Sequence, residues 1–173
     1  MKFPGPTFFR RRQRERLALQ DAYSSLLKEA RNPWLFVDGG IEDTLDGRFK
    51  ALALVSGLMF TKLGAKGSEG ERLAARLYER TFDDLDAGLR ETGVGDASIA
   101  RKVRKYGESF FGMGQAVRDA LKSNDPLVQF EALLARNAVC DPYHARILGA
   151  HLLSVADSFE KEAAARWLDE ASQ

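Results

Sequence analysis

The chain has 173 residues, of which 45% are hydrophobic and 29% are charged, and this composition is typical of one soluble globular domain with a substantial core. No apolar run is long enough to span a bilayer, and no apolar segment follows the basic start, so we expect neither a transmembrane helix nor a secretory signal peptide. The single cysteine, Cys140, cannot form an internal disulfide, which fits a reducing compartment.

The formal net charge of +1 hides an uneven distribution, because residues 1–16 carry +5 and the rest of the chain carries −4. Most of the positive charge of this N-terminal arm comes from five arginines: Arg10, Arg11, Arg12, Arg14 and Arg16. With Phe8 and Phe9 beside them, they form a candidate surface for an anionic membrane or for the ribosome. The alternative is that they are the solvated start of the first helix. We therefore divide the chain into a partly flexible arm, 1–16, and a folded domain, 17–173.

The first half of the chain shows helical spacing of apolar residues with clear interruptions. A first helix is predicted from about Gln13 to Arg31, and Pro33 stops it. We expect Trp34–Val37 to be an ordered loop packed on the core, with a short strand as the alternative. Asp43 or Thr44 then caps a second helix that is apolar enough to be central to the core.

Two glycines of this second helix, Gly47 and Gly57, indicate close approach by another helix, since glycine otherwise weakens a helix. Its apolar face is predicted to include Leu45 and Phe49. Ser68 followed by Glu71 is predicted to be the capping box of the third helix.

The third helix ends in the segment Phe82–Asp96, where Gly93 and Gly95 break the pattern and Asp96 opens the next helix. This segment predicts a tight corner with several charged side chains close to it. After the fourth helix, Asp125–Pro126 and Asp141–Pro142 each predict a cap followed by a first-turn proline. The inward face of the last helix is predicted to include Ile147. No strand pattern is present, and the sequence predicts an all-α, single-domain bundle of about six helices.

Catalysis is the less favoured interpretation of the acidic residues. Asp83, Asp84 and Asp86 resemble the aspartate-rich helix of Mg-dependent isoprenoid synthases, but that chemistry needs a second acidic cluster on a facing helix. Asp157 and Glu160 make a poor second cluster. The two histidines and Cys140 lack the further groups that metal binding or nucleophilic catalysis requires. We therefore expect no catalytic residues, no metal site and no cofactor, and we predict that the protein is not an enzyme.

Two sequence motifs resemble those of a known protein family. This resemblance does not follow from the composition or from the helical spacing of apolar residues. DTLDGRF, residues 43–49, and LRETGVGD, residues 89–96, follow each other at the spacing seen in the ubiquinol–cytochrome c chaperone family. The resemblance covers roughly Tyr23 to Asn137. Two positions depart from the family pattern, because Val55 stands where a histidine is common and Met113 stands where an arginine follows the glycine.

The resemblance implies an assembly factor that binds newly made cytochrome b and assists biogenesis of the bc1 complex, at the cytoplasmic face of the inner membrane of a bacterium. Mitochondrial members of the family work with a second small protein close to the ribosomal exit, so the resemblance leaves two alternatives: such a partner with proximity to the ribosome, or a bacterial-type chain that acts alone. From the residues alone, the prediction is a soluble all-α interaction domain. An RNA- or ribosome-binding module is the main alternative, and a small Mg-dependent enzyme is a weaker one.

We expect the client protein to contact the corner that ends the third helix. The expected contacts combine residues of the corner with Arg48 of the first motif: Asp83, Asp86, Arg90, Glu91, Asp96 and Arg48. Glu91 is mildly unfavourable at a helix C-terminus, where the helix dipole is negative, and an unfavourable charge of this kind is a sign of function.

Overall fold

The computed structural model describes residues 6–91 and 96–168, without the side chains of residues 6–9, 89–91 and 96–103. The long helices in these ranges are α1 (Pro6–Ala30), α3 (Leu45–Gly64), α4 (Gly67–Glu91), α5 (Asp96–Leu121), α6 (Pro126–Arg136) and α7 (Pro142–Glu162). A one-turn helix, α2 (Trp34–Val37), precedes α3, and a π turn (Ala163–Trp167) follows α7. The described ranges contain no strand, and the predicted all-α single domain is confirmed.

Helix α3 is the centre of the bundle, as its apolar sequence predicts. It contacts α1, α4, α5 and α7. Its side chains are buried nearly all round, and Leu54, Leu58, Met59 and Leu63 are completely inaccessible to solvent. A helix that is buried on every side needs neighbours on every side, and this requirement organises the other helices around α3.

Three of the predicted helix caps are present. The Thr44 hydroxyl accepts a hydrogen bond from the Gly47 amide at 3.1 Å, and Asp125 accepts one from the Val128 amide at 3.2 Å. Asp141 accepts from the amides of Tyr143 and His144 at 2.8 and 3.1 Å. Each cap satisfies amides that have no partner inside the helix, so the start of each helix is well defined.

The predicted start of the first helix is wrong by about two turns. Helix α1 begins at Pro6, not near Gln13, and therefore includes most of the basic arm. Proline is favoured at the first helical position, where its missing amide costs nothing. The arm and the domain are continuous in backbone across residue 16, and their division at this residue stays a prediction.

The prediction of a loop at Trp34–Val37 is also wrong, because these residues form the one-turn helix α2. The amide of Trp34 donates to the Asn32 side-chain oxygen at 3.1 Å, and the amide of Leu35 donates to the Asn32 carbonyl at 3.0 Å. Asn32–Pro33 thus resembles Asp125–Pro126 in that a side-chain oxygen before the proline accepts a backbone amide, although Pro33 is itself the N-cap of α2 and Asp125 is the N-cap of α6. Pro33 both ends α1 and begins α2.

The predicted capping box at Ser68 and Glu71 is wrong as well. Helix α4 begins at Gly67, whose φ of +73° turns the chain sharply after α3, and Ser68 already lies inside the helix. The Ser68 hydroxyl accepts from Arg72 at 3.4 Å instead of capping an amide. Gly67, and not a Ser68 cap, therefore makes the turn between α3 and α4.

Two residues predicted to point inward are exposed. Leu45 is 66% exposed and Ile147 is 43% exposed, although Leu148 beside Ile147 is fully buried. Helical spacing predicts which residues share a face but not how far the covering neighbours extend. Leu45 opens α3 before the neighbouring helices cover it.

The two glycines of α3 make close approaches of different kinds. A Cβ at Gly57 would lie 3.1 Å from the Val117 Cβ and 3.2 Å from the Gly114 Cα, so α5 approaches here as predicted. A Cβ at Gly47 would overlap the carbonyl oxygen of Glu42. At Gly47 the approaching element is therefore the preceding loop and not another helix, which corrects the prediction.

Replacement of Gly47 by alanine should destabilise the protein by about 1–3 kcal/mol, because the backbone of Glu42 must move. This loss should exceed the gain of about 1 kcal/mol that alanine gives a helix. Gly88→Ala is the matched control, since a Cβ there meets no atom within 4 Å, and it should stabilise the protein. Urea unfolding followed by circular dichroism measures both changes, and equal effects of the two variants would contradict the account.

Candidate functional site

An apolar groove opens where the end of α1, α2, the start of α3 and the end of α4 meet. Its volume is about 560 Å³. The apolar residues that line it include Leu27, Phe36, Val37, Leu45, Leu52 and Leu85, and the polar ones are Arg31, Asp43 and Arg48. We call this feature the α2–α3 groove. It is large enough to receive apolar side chains of another protein.

The edge of the α2–α3 groove carries unusually exposed apolar side chains. Val37 is 74% exposed and Leu45 is 66% exposed, and they stand at the end of α2 and the start of α3. Exposed apolar residues beside an apolar groove mark an interaction surface more strongly than scattered ones do. The sequence analysis missed both residues in this role, since Leu45 fits the buried spacing of α3 and Val37 was assigned to the core.

The DTLDGRF motif builds this edge of the groove. Arg48 holds Asp43 through two hydrogen bonds, at 2.6 Å from Nε and 3.2 Å from Nη2, and this pairing keeps the pKa of Asp43 below its usual value. Phe49 is buried against Tyr106 and Phe110, with ring centroids 4.4 and 6.4 Å away. Together with the Thr44 cap, these contacts fix the direction in which the chain enters α3.

The acidic stretch of α4 is tied to α1 by a three-residue contact. The Tyr23 hydroxyl donates to Asp84 at 2.7 Å, and Arg80 lies 3.4 Å from the same carboxylate. The Arg80 guanidinium also lies over the Tyr23 ring, 5.4 Å from its centroid. Burial and then the hydrogen bond to Asp84 raise the pKa of Tyr23 to about 12. Asp84 therefore has a structural partner across the helix interface.

The structure places only part of the predicted client-binding set. Arg48 lines the α2–α3 groove, and so does Leu85, which directly precedes Asp86 in α4. Asp83 is exposed and Asp86 is half-buried. The backbones of Arg90, Glu91 and Asp96 lie in the last turn of α4 and at the start of α5, but their side chains, and the corner residues 92–95, lie outside the described residues.

The predicted membrane or ribosome surface lies on α1. Arg10, Arg11, Arg12, Arg14 and Arg16 are all exposed, whereas the side chains of Phe8 and Phe9 lie outside the described set. Glu15 pairs with Arg11 at 3.1 Å and lies 3.9 Å from Arg76 of α4. The arm is thus connected to the domain through α4.

Comparison with known proteins identifies the family. The model of the ubiquinol–cytochrome C chaperone family matches residues 37–166, which is more than half of the chain. The chain belongs to this family. It is also similar to the Cbp3 homolog from Brucella abortus, whose crystal structure superposes with a TM-score of 0.78 at 27% identity, over 93% of this chain and 92% of that one. A comparison with curated proteins gave no match.

Membership of the ubiquinol–cytochrome C chaperone family supports a chaperone role over the enzyme alternative. In residues 6–91 and 96–168, no three His, Cys, Asp or Glu side chains are grouped as metal ligands would be. Asp84 is engaged by Tyr23, and Glu160 is engaged by Lys62 and Lys66 at 2.8 and 3.3 Å. One carboxylate of each acidic stretch, Asp84 and Glu160, is therefore engaged in a contact of the scaffold.

Cys140 and the two histidines have environments that the fold explains. Burial, followed by the charge of Asp141, raises the pKa of the Cys140 thiol to about 11, which disfavours the reactive thiolate. His144 shares a hydrogen bond with Asp141 at 2.7 Å, and His151 stacks on Trp34 with ring centroids 4.0 Å apart. Within the described residues, no helix is both long enough and apolar enough to cross a membrane.

The Tyr23–Asp84 contact predicts a specific pH dependence of stability. Since the pKa of Tyr23 is raised in the folded state, the contact stabilises fully below pH 10 and its contribution is lost as the pH rises towards about 12. Wild type should therefore be more stable than Tyr23→Phe at pH 8, and this advantage should shrink at pH 11. Chemical unfolding at both values measures it. The control is Tyr143→Phe, which removes an exposed hydroxyl, and an unchanged advantage of wild type would contradict the prediction.

Proposed function

We propose that this chaperone binds newly made cytochrome b, nascent or just inserted, and assists its incorporation into the bc1 complex. The observation that supports the binding site best is the α2–α3 groove, with Val37 and Leu45 exposed at its edge. Cytochrome b is a hydrophobic membrane protein, and its apolar segments need cover before the complex is assembled. An apolar groove with a polar rim matches that need.

The charged rim of the groove would give the interaction its orientation. Arg48 and Asp43 neutralise each other at one edge, while Arg31 is exposed at another. An apolar segment can therefore cover the Arg48–Asp43 edge without burying an unpaired charge there, and an acidic group of the segment would pair with Arg31. We also propose client contacts at the end of α4 and the start of α5, namely Asp83, Asp86, Arg90, Glu91 and Asp96.

The work of the chaperone is proposed to take place at the cytoplasmic face of the inner membrane. The exposed arginines of α1 support contact with an anionic membrane surface or with the ribosome. A small partner protein, which the family resemblance leaves as one alternative, is a further proposed contact. None of these contacts requires a cofactor.

Replacement of Val37 and Leu45 together by serine should lower capture of cytochrome b severalfold, because the apolar edge of the groove is lost. Stability should change by less than about 1 kcal/mol, since both residues are largely exposed. The measurement is a tagged pulldown from detergent-solubilised membranes with an immunoblot for cytochrome b. Thermal melting of each purified variant accompanies it.

The matched control for this pair is Val128→Ser with Ile147→Ser. It removes one valine and one larger aliphatic residue that are 48% and 43% exposed, outside the α2–α3 groove. The control should capture cytochrome b like the wild type. If the two double variants behave alike, the groove is not the client site.

Alanine replacement of Arg90 or Glu91 tests the corner. If these residues contact the client, each variant should melt like the wild type and lower the amount of cytochrome b that accumulates in cells. If Arg90 instead caps α4 or pairs with Asp86, Arg90→Ala should lower the melting temperature and the yield of cytochrome b together. Normal melting with normal bc1 assembly in both variants would show that the corner is only scaffold.

A further inference from the structure

A second groove lies between α4 and α5, with α3 as its floor. Its volume is about 720 Å³, which is larger than that of the α2–α3 groove. Helices α4 and α5 meet where the rings of Phe82 and Phe110 lie 5.0 Å apart, and the groove opens between them beyond this contact. Four aromatic residues contribute to its lining: Phe60, Tyr78, Phe110 and Phe111. We call this feature the α4–α5 groove, and it is large enough to receive an aromatic side chain of another molecule.

The outer face of α5 carries a projecting side chain and a depression next to each other. Phe111 is 59% exposed at the rim of the α4–α5 groove. Gly114, one turn later on the same face, also lines the groove, and a Cβ at this position would meet no atom within 4 Å. Glycine weakens the interior of a helix, so the open position at Gly114 conflicts with the needs of the helix alone. The conflict is explained if a large side chain of another molecule occupies the space above Gly114.

Opposite charges flank this pair of residues on the outer face of α5. Glu108 lies about one turn before Phe111, and Arg118 lies about one turn after Gly114. Both charged side chains are exposed, and within residues 6–91 and 96–168 neither forms an ion pair. In chain order, the outer face therefore presents an acidic group, an aromatic ring, an open glycine and a basic group.

This order is complementary to its own reverse. If two α5 helices lie antiparallel, related by a two-fold axis that passes midway between Phe111 and Gly114, each Phe111 lies over the Gly114 of the other copy. In the same arrangement, each Glu108 lies opposite Arg118 of the other copy, to within about one position. A two-fold interface needs such self-complementarity, because each residue that contacts a second one is contacted by it in return. The face therefore fits a second copy of this chain better than a partner of uniform charge.

We propose that two copies of this chain form a two-fold dimer through the outer face of α5, with Phe111 of each copy seated in the α4–α5 groove of the other. The Phe111 ring is the apolar anchor of the interface, and the reciprocal Glu108–Arg118 pairs set the antiparallel direction. The like charges Arg104 and Lys122 face each other only at about 13 Å from the axis, where crossed helices separate. The proposal goes beyond client binding and does not depend on which protein the α2–α3 groove receives.

Sedimentation equilibrium of the purified full chain over a wide range of concentrations tests the proposal. Wild type should show a reversible monomer–dimer equilibrium. Phe111→Ala should weaken dimerisation about 30-fold or more, which is the effect expected for the loss of a central aromatic anchor. Tyr143→Ala is the matched control, since it removes a ring that is 77% exposed at the start of α7, and it should dimerise like wild type. A wild type that stays monomeric at every concentration, or a dimer that Phe111→Ala leaves intact, would overturn the proposal.

An exchange of charges tests the antiparallel arrangement. Glu108→Arg and Arg118→Glu should each weaken dimerisation of the separate variant, because like charges then face each other at both ends of the contact. In an equimolar mixture the two variants should form a mixed dimer, since opposite charges face each other at both ends of the mixed pair. Circular dichroism shows that each variant is folded. If the folded variants dimerise separately like wild type, or if their mixture stays as monomeric as they are alone, the proposal is wrong.

Two further measurements separate the dimer from client binding. The sedimentation experiment contains no client, so its failure leaves capture of cytochrome b untouched. Val37→Ser with Leu45→Ser should dimerise like wild type, and loss of the dimer in this variant would place the interface at the α2–α3 groove and overturn the proposal. If wild type is monomeric and Phe111→Ala lowers capture of cytochrome b, the α4–α5 groove receives the client and not a second copy.

Discussion

Burial of α3 on all sides is the constraint on which the rest of the structure depends. Four helices contact it, and its start is fixed by the Thr44 cap, by the space at Gly47 and by the packing of Phe49 on Tyr106 and Phe110. The same start positions Leu45 and Arg48 at the edge of the α2–α3 groove. The DTLDGRF motif thus has a folding role and a surface role at once. Its glycine and phenylalanine serve the fold, and its exposed residues shape the groove.

Much of the fold could be predicted from the sequence, because local signals specify helices. Spacing of apolar residues located the long helices, and Asp125 and Asp141 marked two of their starts correctly. The error at α2 came from a local signal that was present but not used, since Asn32–Pro33 has the same form as Asp125–Pro126. The exposure of Leu45 could not be read in this way, because it depends on where neighbouring helices end.

The site was less predictable because its contacts join residues that are far apart in sequence. Tyr23 and Asp84 are separated by 61 positions, and Asp21 and Trp167 by 146. No spacing rule relates such pairs. The resemblance drew attention to Arg48, but the apolar groove beside it emerges only from packing.

The most direct test of the central claim is photo-crosslinking in cells from a benzoylphenylalanine placed at position 45, with position 147 as the exposed apolar control. If the α2–α3 groove receives the client, position 45 should form a crosslinked product that antibodies to cytochrome b recognise, and position 147 should not. Crosslinks to cytochrome b from position 147 alone, or from neither position in a strain that assembles the bc1 complex, would contradict the account.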